Sequence, residues 1–248
     1  MPVETLQVLS ALRRELPRVA KPRLLIAGAT GVLGTEVLRR LAGLHRFDRT
    51  QLLAREPIRA GMRGVDALVV EDDLPIAQWP LAAADTGLVM FDPPRLFNDR
   101  ERALWTPLPE QLVEVAAWMR RGGVKTLVVV LPHDIGRLPE SLKRGLASLD
   151  EQAVASLEFE RLVIVRSARQ PAVARPRGFL HAVAHWMLSI TRYMVPSSEQ
   201  PVRALKVAEF VAAALEFAPA GVHVAPSEAV WRAAQGDVRA AVQGWLAP

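Results

Sequence analysis

Between Arg23 and Leu38 the chain reads RLLIAGATGVLGTEVL. Leu24 to Ala27 is a short, unbroken apolar run, which fits a strand covered on both faces. From Leu33 the period changes. Leu33, Val37, Leu38 and Leu41 fall on one side of a helix, with Arg39 and Arg40 on the other. Between the two, Gly28, Gly31 and Gly34 are spaced three apart. Glycines in that position permit a tight turn, a close backbone approach to an anion and close helix packing, while unpaired N–H groups at the helix start attract negative charge. This order of strand, turn and helix predicts that Gly28, Thr30, Gly31, Val32, Leu33 and Gly34 bind the diphosphate of a dinucleotide. The competing reading is a structural turn that holds no ligand.

The pattern recurs outward from there. QLLA from Gln51, ALVV from Ala67, GLVMF from Gly87, TLVVVL from Thr126 and RLVIV from Arg161 are further apolar runs without alternation. Helical spacing appears between several of them: Leu112, Val115, Ala116 and Met119 form a stripe that stops at Gly122–Gly123, and Leu142, Leu146, Leu149, Ala153 and Leu157 form another. Short strands alternating with helices predict an open α/β, doubly wound parallel sheet. Leu6, Leu9, Leu12 and Leu16 suggest an amphipathic segment within residues 1–20. After Gln170 a proline-rich connector leads to helical spacing near 179–194 and 203–217, then a last strand, GVHVA, and a C-terminal helix. The expected division is a nucleotide-binding part over 21–170 and a smaller C-terminal part over 171–248.

Composition excludes several classes. Half of the 248 residues are hydrophobic and 23% are charged, which is a globular balance and not that of a disordered or fibrous chain. With no cysteine there is no disulfide and no thiolate chemistry, as expected of a cytoplasmic protein in a reducing compartment. No run reaches the length of a membrane span. The net charge of +5 comes mostly from arginine scattered in ones and twos, so no nucleic-acid surface is expected.

GATGVLG at 28–34 resembles the glycine motif of the atypical, or extended, short-chain dehydrogenase/reductases. The likeness continues through LLARE at 52–56, DDL at 72–74, RLVIVRSA at 161–168 and VAEFVAAALEFAPAGVHVAPSEAV at 207–230, and is strongest to the Tat-interacting-protein-like, NAD(P)-binding branch. The resemblance implies a Rossmann-like fold and a dinucleotide partner. It also implies that Arg55, just past the second strand, receives the 2′-phosphate of NADP(H) in preference to NAD(H), and that Asp73 lies beside the adenine. The bland alternatives are a solvated arginine and a helix N-cap.

The same resemblance makes one absence conspicuous. These enzymes usually reduce through a serine after the fifth strand and a Y-x-x-x-K pair in the following helix. Here the only tyrosine is Tyr193, with Ser197 four residues on; Leu131 and Pro132 stand in the serine positions, and Leu146 and Asp150 near the other two. Neither leucine nor aspartate can replace the tyrosine–lysine pair. The expectation is therefore a nucleotide-dependent binding or regulatory protein. The alternatives are an oxidoreductase with a different proton donor, for which His133–Asp134 is a candidate, and a scaffold subunit. His181 and His185 are four apart, without the remaining ligands of a metal site, so no metal is expected. Two prolines, Pro93 and Pro94, stiffen the loop after the fourth strand, on the nicotinamide side. The stripe Phe179, Val183, Trp186, Ile190 and Tyr193 is a core helix or an interface with a protein partner or second copy; its weakly charged opposite face argues against membrane contact.

Overall fold

The computed structural model describes residues 21–58, 62–95, 98–132, 140–147, 149–166 and 202–247. The expected N-terminal helix, His133–Asp134 and the stretch 179–194, with His181, His185 and Tyr193, lie outside the described residues. The apolar runs are strands: β1 (Leu24–Ala27), β2 (Thr50–Ala54), β3 (Val65–Val69), β4 (Thr86–Met90), β5 (Thr126–Val130), β6 (Arg161–Val165) and β7 (Gly221–Ala225). They form one sheet, in the order β3-β2-β1-β4-β5-β6-β7, with every neighbouring pair parallel.

The described helices are α1 (Gly31–Gly43), α2 (Asp99–Arg102), α3 (Leu112–Arg121), α4 (Glu140–Ala147), α5 (Glu151–Ala155), α6 (Ala204–Phe217), α7 (Ser227–Ala234) and α8 (Val238–Leu246). Strand residues alternate between two cores, and this is why the central strands carry no polar face. Leu24, Ile26, Leu88, Met90 and Val128 pack with Leu33 and Val37 of α1 and Val207, Phe210 and Val211 of α6. Leu25, Ala27, Val89, Leu127 and Val129 pack on the opposite side with Val115, Trp118 and Met119 of α3. From Val202 onward the chain adds β7 to the same sheet and lays α6 against α1. This part of the C-terminal segment therefore shares a core with the helix of the glycine turn.

One expectation needs correcting. The stripe from Leu142 to Leu157 is not a single helix: it is divided between α4 and α5, with Leu149 ahead of α5 and Leu157 in the turn after it. Asp150 divides them because its side chain caps α5, accepting from the Ala153 N–H at 2.8 Å. A short carboxylate satisfies an orphan donor at a helix start better than it serves a helix interior.

Candidate dinucleotide site

The sheet order places the site. β1 leads outward to β2 and β3, whereas β4 leads the other way to β5, so a crevice opens at the C-terminal ends of β1 and β4, where ligands of doubly wound sheets bind. The glycine turn leaves β1 there. Facing it is the loop from Phe91 to Arg95. Gly28 and Gly31 have φ of +78° and +68°, values that side-chain-bearing residues rarely adopt. Space forbids a side chain as well. A Cβ on Gly28 would lie 2.0 Å from the Met90 carbonyl oxygen, and one on Gly31 would lie 2.8 Å from Asp92 Cβ and 3.1 Å from the Pro93 oxygen. Thr30 is fully buried and donates to the Asp92 carbonyl at 2.5 Å, with Thr106 Oγ1 2.9 Å away. Of the remaining residues assigned to the turn, Gly34 is buried, Leu33 points into the core below, and Val32 is half exposed.

The start of α1 lacks its own negative charge. Thr30 occupies the N-cap without a side-chain cap, and the first turn contains no acidic residue. Both functions pass to Glu101, which lies on α2 and is only 4% exposed. Its Oε2 accepts from the Gly31 N–H at 3.1 Å and from the Arg95 N–H at 2.9 Å. Oε1 accepts from Arg95 Nε at 2.7 Å, from Arg95 Nη2 and from Asn98 Nδ2 at 3.2 Å. Thr35 Oγ1 stands 3.3 Å from Oε1 while donating to the Gly31 carbonyl at 2.7 Å. Burial opposes ionisation of Glu101, but the Arg95 guanidinium and the N–H groups of Arg95 and Gly31 outweigh it, and they hold the carboxyl below the usual range. Glu101 was not singled out from the sequence: it lies in NDRERAL, an ordinary charged run, and its contact with Gly31 spans 70 residues.

Beyond α2 the chain crosses the ends of β1 and β2. Leu104 forms an antiparallel bridge with Ala54; the Trp105 N–H donates to the Leu53 carbonyl at 2.9 Å, and the Gly28 N–H donates to the Trp105 carbonyl at 3.1 Å. Trp105 is buried edge-on against Trp79, ring centres 4.9 Å apart, and Trp79 meets Trp118 in the same manner at 5.7 Å. This anchors the crossing. A cavity of about 230 Å3 opens beside Glu101, over a floor that includes Leu38, Leu52 and Ala67.

Arg55 stands past β2, as expected, and is exposed. Its Nε donates to Asp72 at 2.5 Å and its Nη1 to the Leu104 carbonyl at 3.2 Å. Asp73 is exposed in the turn after β3. It does not cap the following short 3-10 turn, Ile76–Gln78, which starts at Pro75. Asp72, its neighbour, was missed by the sequence reading. At the far side of the crevice Leu131 and Pro132 follow β5 and are buried, Leu146 is buried, and Asp150 is spent on its cap. Arg166, following β6, pairs with both oxygens of Glu151 at 2.7 and 2.6 Å. Among the described residues no group of three or more acidic or histidine side chains could hold a metal, and no helix is long and apolar enough to cross a membrane.

A seven-stranded parallel sheet with helices on both faces and a glycine turn at its switch point defines a doubly wound, Rossmann-like α/β protein. Solved structures share this fold. MoeE5, in complex with UDP-glucuronic acid and NAD, matches at a TM-score of 0.50 and 13% identity, over 82% of this chain and 75% of that one. The Citrobacter sp. triphenylmethane reductase, complexed with NADP(H), matches at a TM-score of 0.50 and 18% identity, over 81% of this chain and 68% of that one. No family model and no curated protein matches the sequence.

Proposed function

We propose that this chain is a nicotinamide-dinucleotide-binding protein of the Rossmann type that does not reduce substrates through a tyrosine–lysine pair, and that it acts as a nucleotide-dependent binding or regulatory protein. The observation that carries the reading is the glycine turn at the switch point, which leads into a helix start with no acidic residue or side-chain cap of its own. Such a terminus attracts the diphosphate through its N–H groups and its dipole. The dinucleotides in the two similar structures support the ligand class. What supports an anion at the turn is the helix start itself, uncapped and without an acidic residue in its first turn; in the structure the Gly31 N–H is taken by Glu101.

The preference for NADP(H) follows from Arg55. Its partner, Asp72, is half exposed, as Arg55 is, and an exposed pair of this kind is worth about 0–1 kcal/mol. So weak a pair leaves the guanidinium available to a 2′-phosphate, which carries more charge than a carboxylate and suits bidentate pairing. Calorimetric titration with NADPH and NADH tests both points. Binding of NADPH ahead of NADH supports the reading, and no affinity for either refutes it.

A second reading has one observation in its favour. Because Glu101 and Pro93 already pack against Gly31, the chain also satisfies the description of a scaffold whose glycine turn serves its own packing. The two readings differ in whether the carboxylate gives way.

A further inference from the structure

We propose that Glu101 is a built-in competitor for the diphosphate, so that the dinucleotide binds only when the α2 turn swings this carboxylate off the Gly31 N–H. The inference rests on the dinucleotide reading above and adds a regulatory contact to the same site. A buried carboxylate brought from another element to a helix start satisfies the donor and the dipole that an incoming phosphate would otherwise meet. Two anions cannot share that position.

The carboxylate is held by Arg95 and Asn98 on its own side and by the Gly31 N–H and the Thr35 hydroxyl of α1; α2, which carries it, is one turn long and capped by Asn98, whose Oδ1 accepts from the Glu101 N–H at 3.2 Å. The strong anchor, Leu104 and Trp105, lies beyond α2 and need not move. The adjacent cavity is lined by Arg95, Asn98 and Arg100 as well as by Leu38, Leu52 and Leu104, so a displaced carboxylate keeps polar neighbours there. Arg95, half exposed and paired with Glu101, is then released beside the bound phosphates, so the opened state exchanges one carboxylate–arginine pair for a phosphate–arginine pair.

The test compares the full-length native chain with Glu101→Gln and Asn98→Ala, using inorganic pyrophosphate and NADPH as probes in calorimetry. Glu101→Gln removes the competing charge with little change of shape and should bind both probes at least tenfold more tightly. Asn98→Ala weakens the cap and one bond to the carboxylate without touching Gly31, and should give a several-fold gain. It carries the test by itself if Glu101→Gln does not fold. Unchanged or weaker affinity in the folded variants overturns the competitor role while leaving the dinucleotide reading intact. If pyrophosphate binds Glu101→Gln more tightly but no protein binds NADPH, the guarded anion site stands and the dinucleotide reading falls. If folded Glu101→Gln binds neither probe, both fall.

Discussion

Gly31 carries two constraints at once, a left-handed φ and a neighbour 2.8 Å from any added Cβ. Replacing it with a bulky residue therefore perturbs the loop at Asp92–Pro93 before any ligand is present. We expect Gly31→Val to lower stability by about 1–3 kcal/mol, the usual cost of forced backbone strain and overpacking. Urea denaturation of the ligand-free protein measures this, and an unchanged midpoint would show that the loop yields freely. Arg55 and Asp72 give a second expectation. Removing the competing carboxylate in Asp72→Asn should increase the preference for NADPH over NADH, and Arg55→Ala should abolish it; equal ratios in all three proteins would mean that Arg55 meets no phosphate. Glu101 gives a third. Its pKa is lowered in the folded state, so its stabilising contribution is present above the ordinary carboxylate range and is lost as pH falls through that range to its own lower value. Native protein should exceed Glu101→Gln in stability by about 1–3 kcal/mol at pH 7, given what hydrogen bonds to a charged group contribute. The gap should close under acid conditions. A gap that widens on acidification would contradict the ionised pairing with Arg95.

At the level of elements, the strands were legible because a sheet buried on both faces needs continuous apolar runs, and those runs stand clear of their surroundings. α1 was legible for the complementary reason, its 3.6-residue stripe. What the sequence did not reveal is how loops meet. Nothing in ERALW announces that Leu104 bridges Ala54 or that Trp105 closes over Gly28, because those contacts pair segments about 50 to 77 residues apart through backbone groups that every residue carries. Asp150 was misplaced for a different reason: apolar spacing continued across it, while its capping preference, which breaks the helix, is a single-residue signal. The crossing segment also allows a direct check. Trp105→Ala should cost about 3–5 kcal/mol by emptying a buried aromatic contact with Trp79. Loss of less than 1 kcal/mol in thermal or urea unfolding would mean that the segment is not the anchor described here.

For the molecule as a whole, the glycine turn is held from three directions: α6 braces α1 from outside, β4 presses its loop against Gly31, and the crossing segment seals the ends of β1 and β2. These contacts fix the backbone of the proposed site, and one side chain, Glu101, accepts from its Gly31 N–H. The central claim is that an anion enters at Gly31 when Glu101 leaves. The most direct measurement follows the Gly31 amide resonance by nuclear magnetic resonance while NADPH is titrated into the native protein and into Glu101→Gln. The account predicts that this resonance shifts in both, saturating at lower NADPH concentration in the variant. A Gly31 amide that stays fixed in both proteins, while other resonances report bound nucleotide, would contradict it.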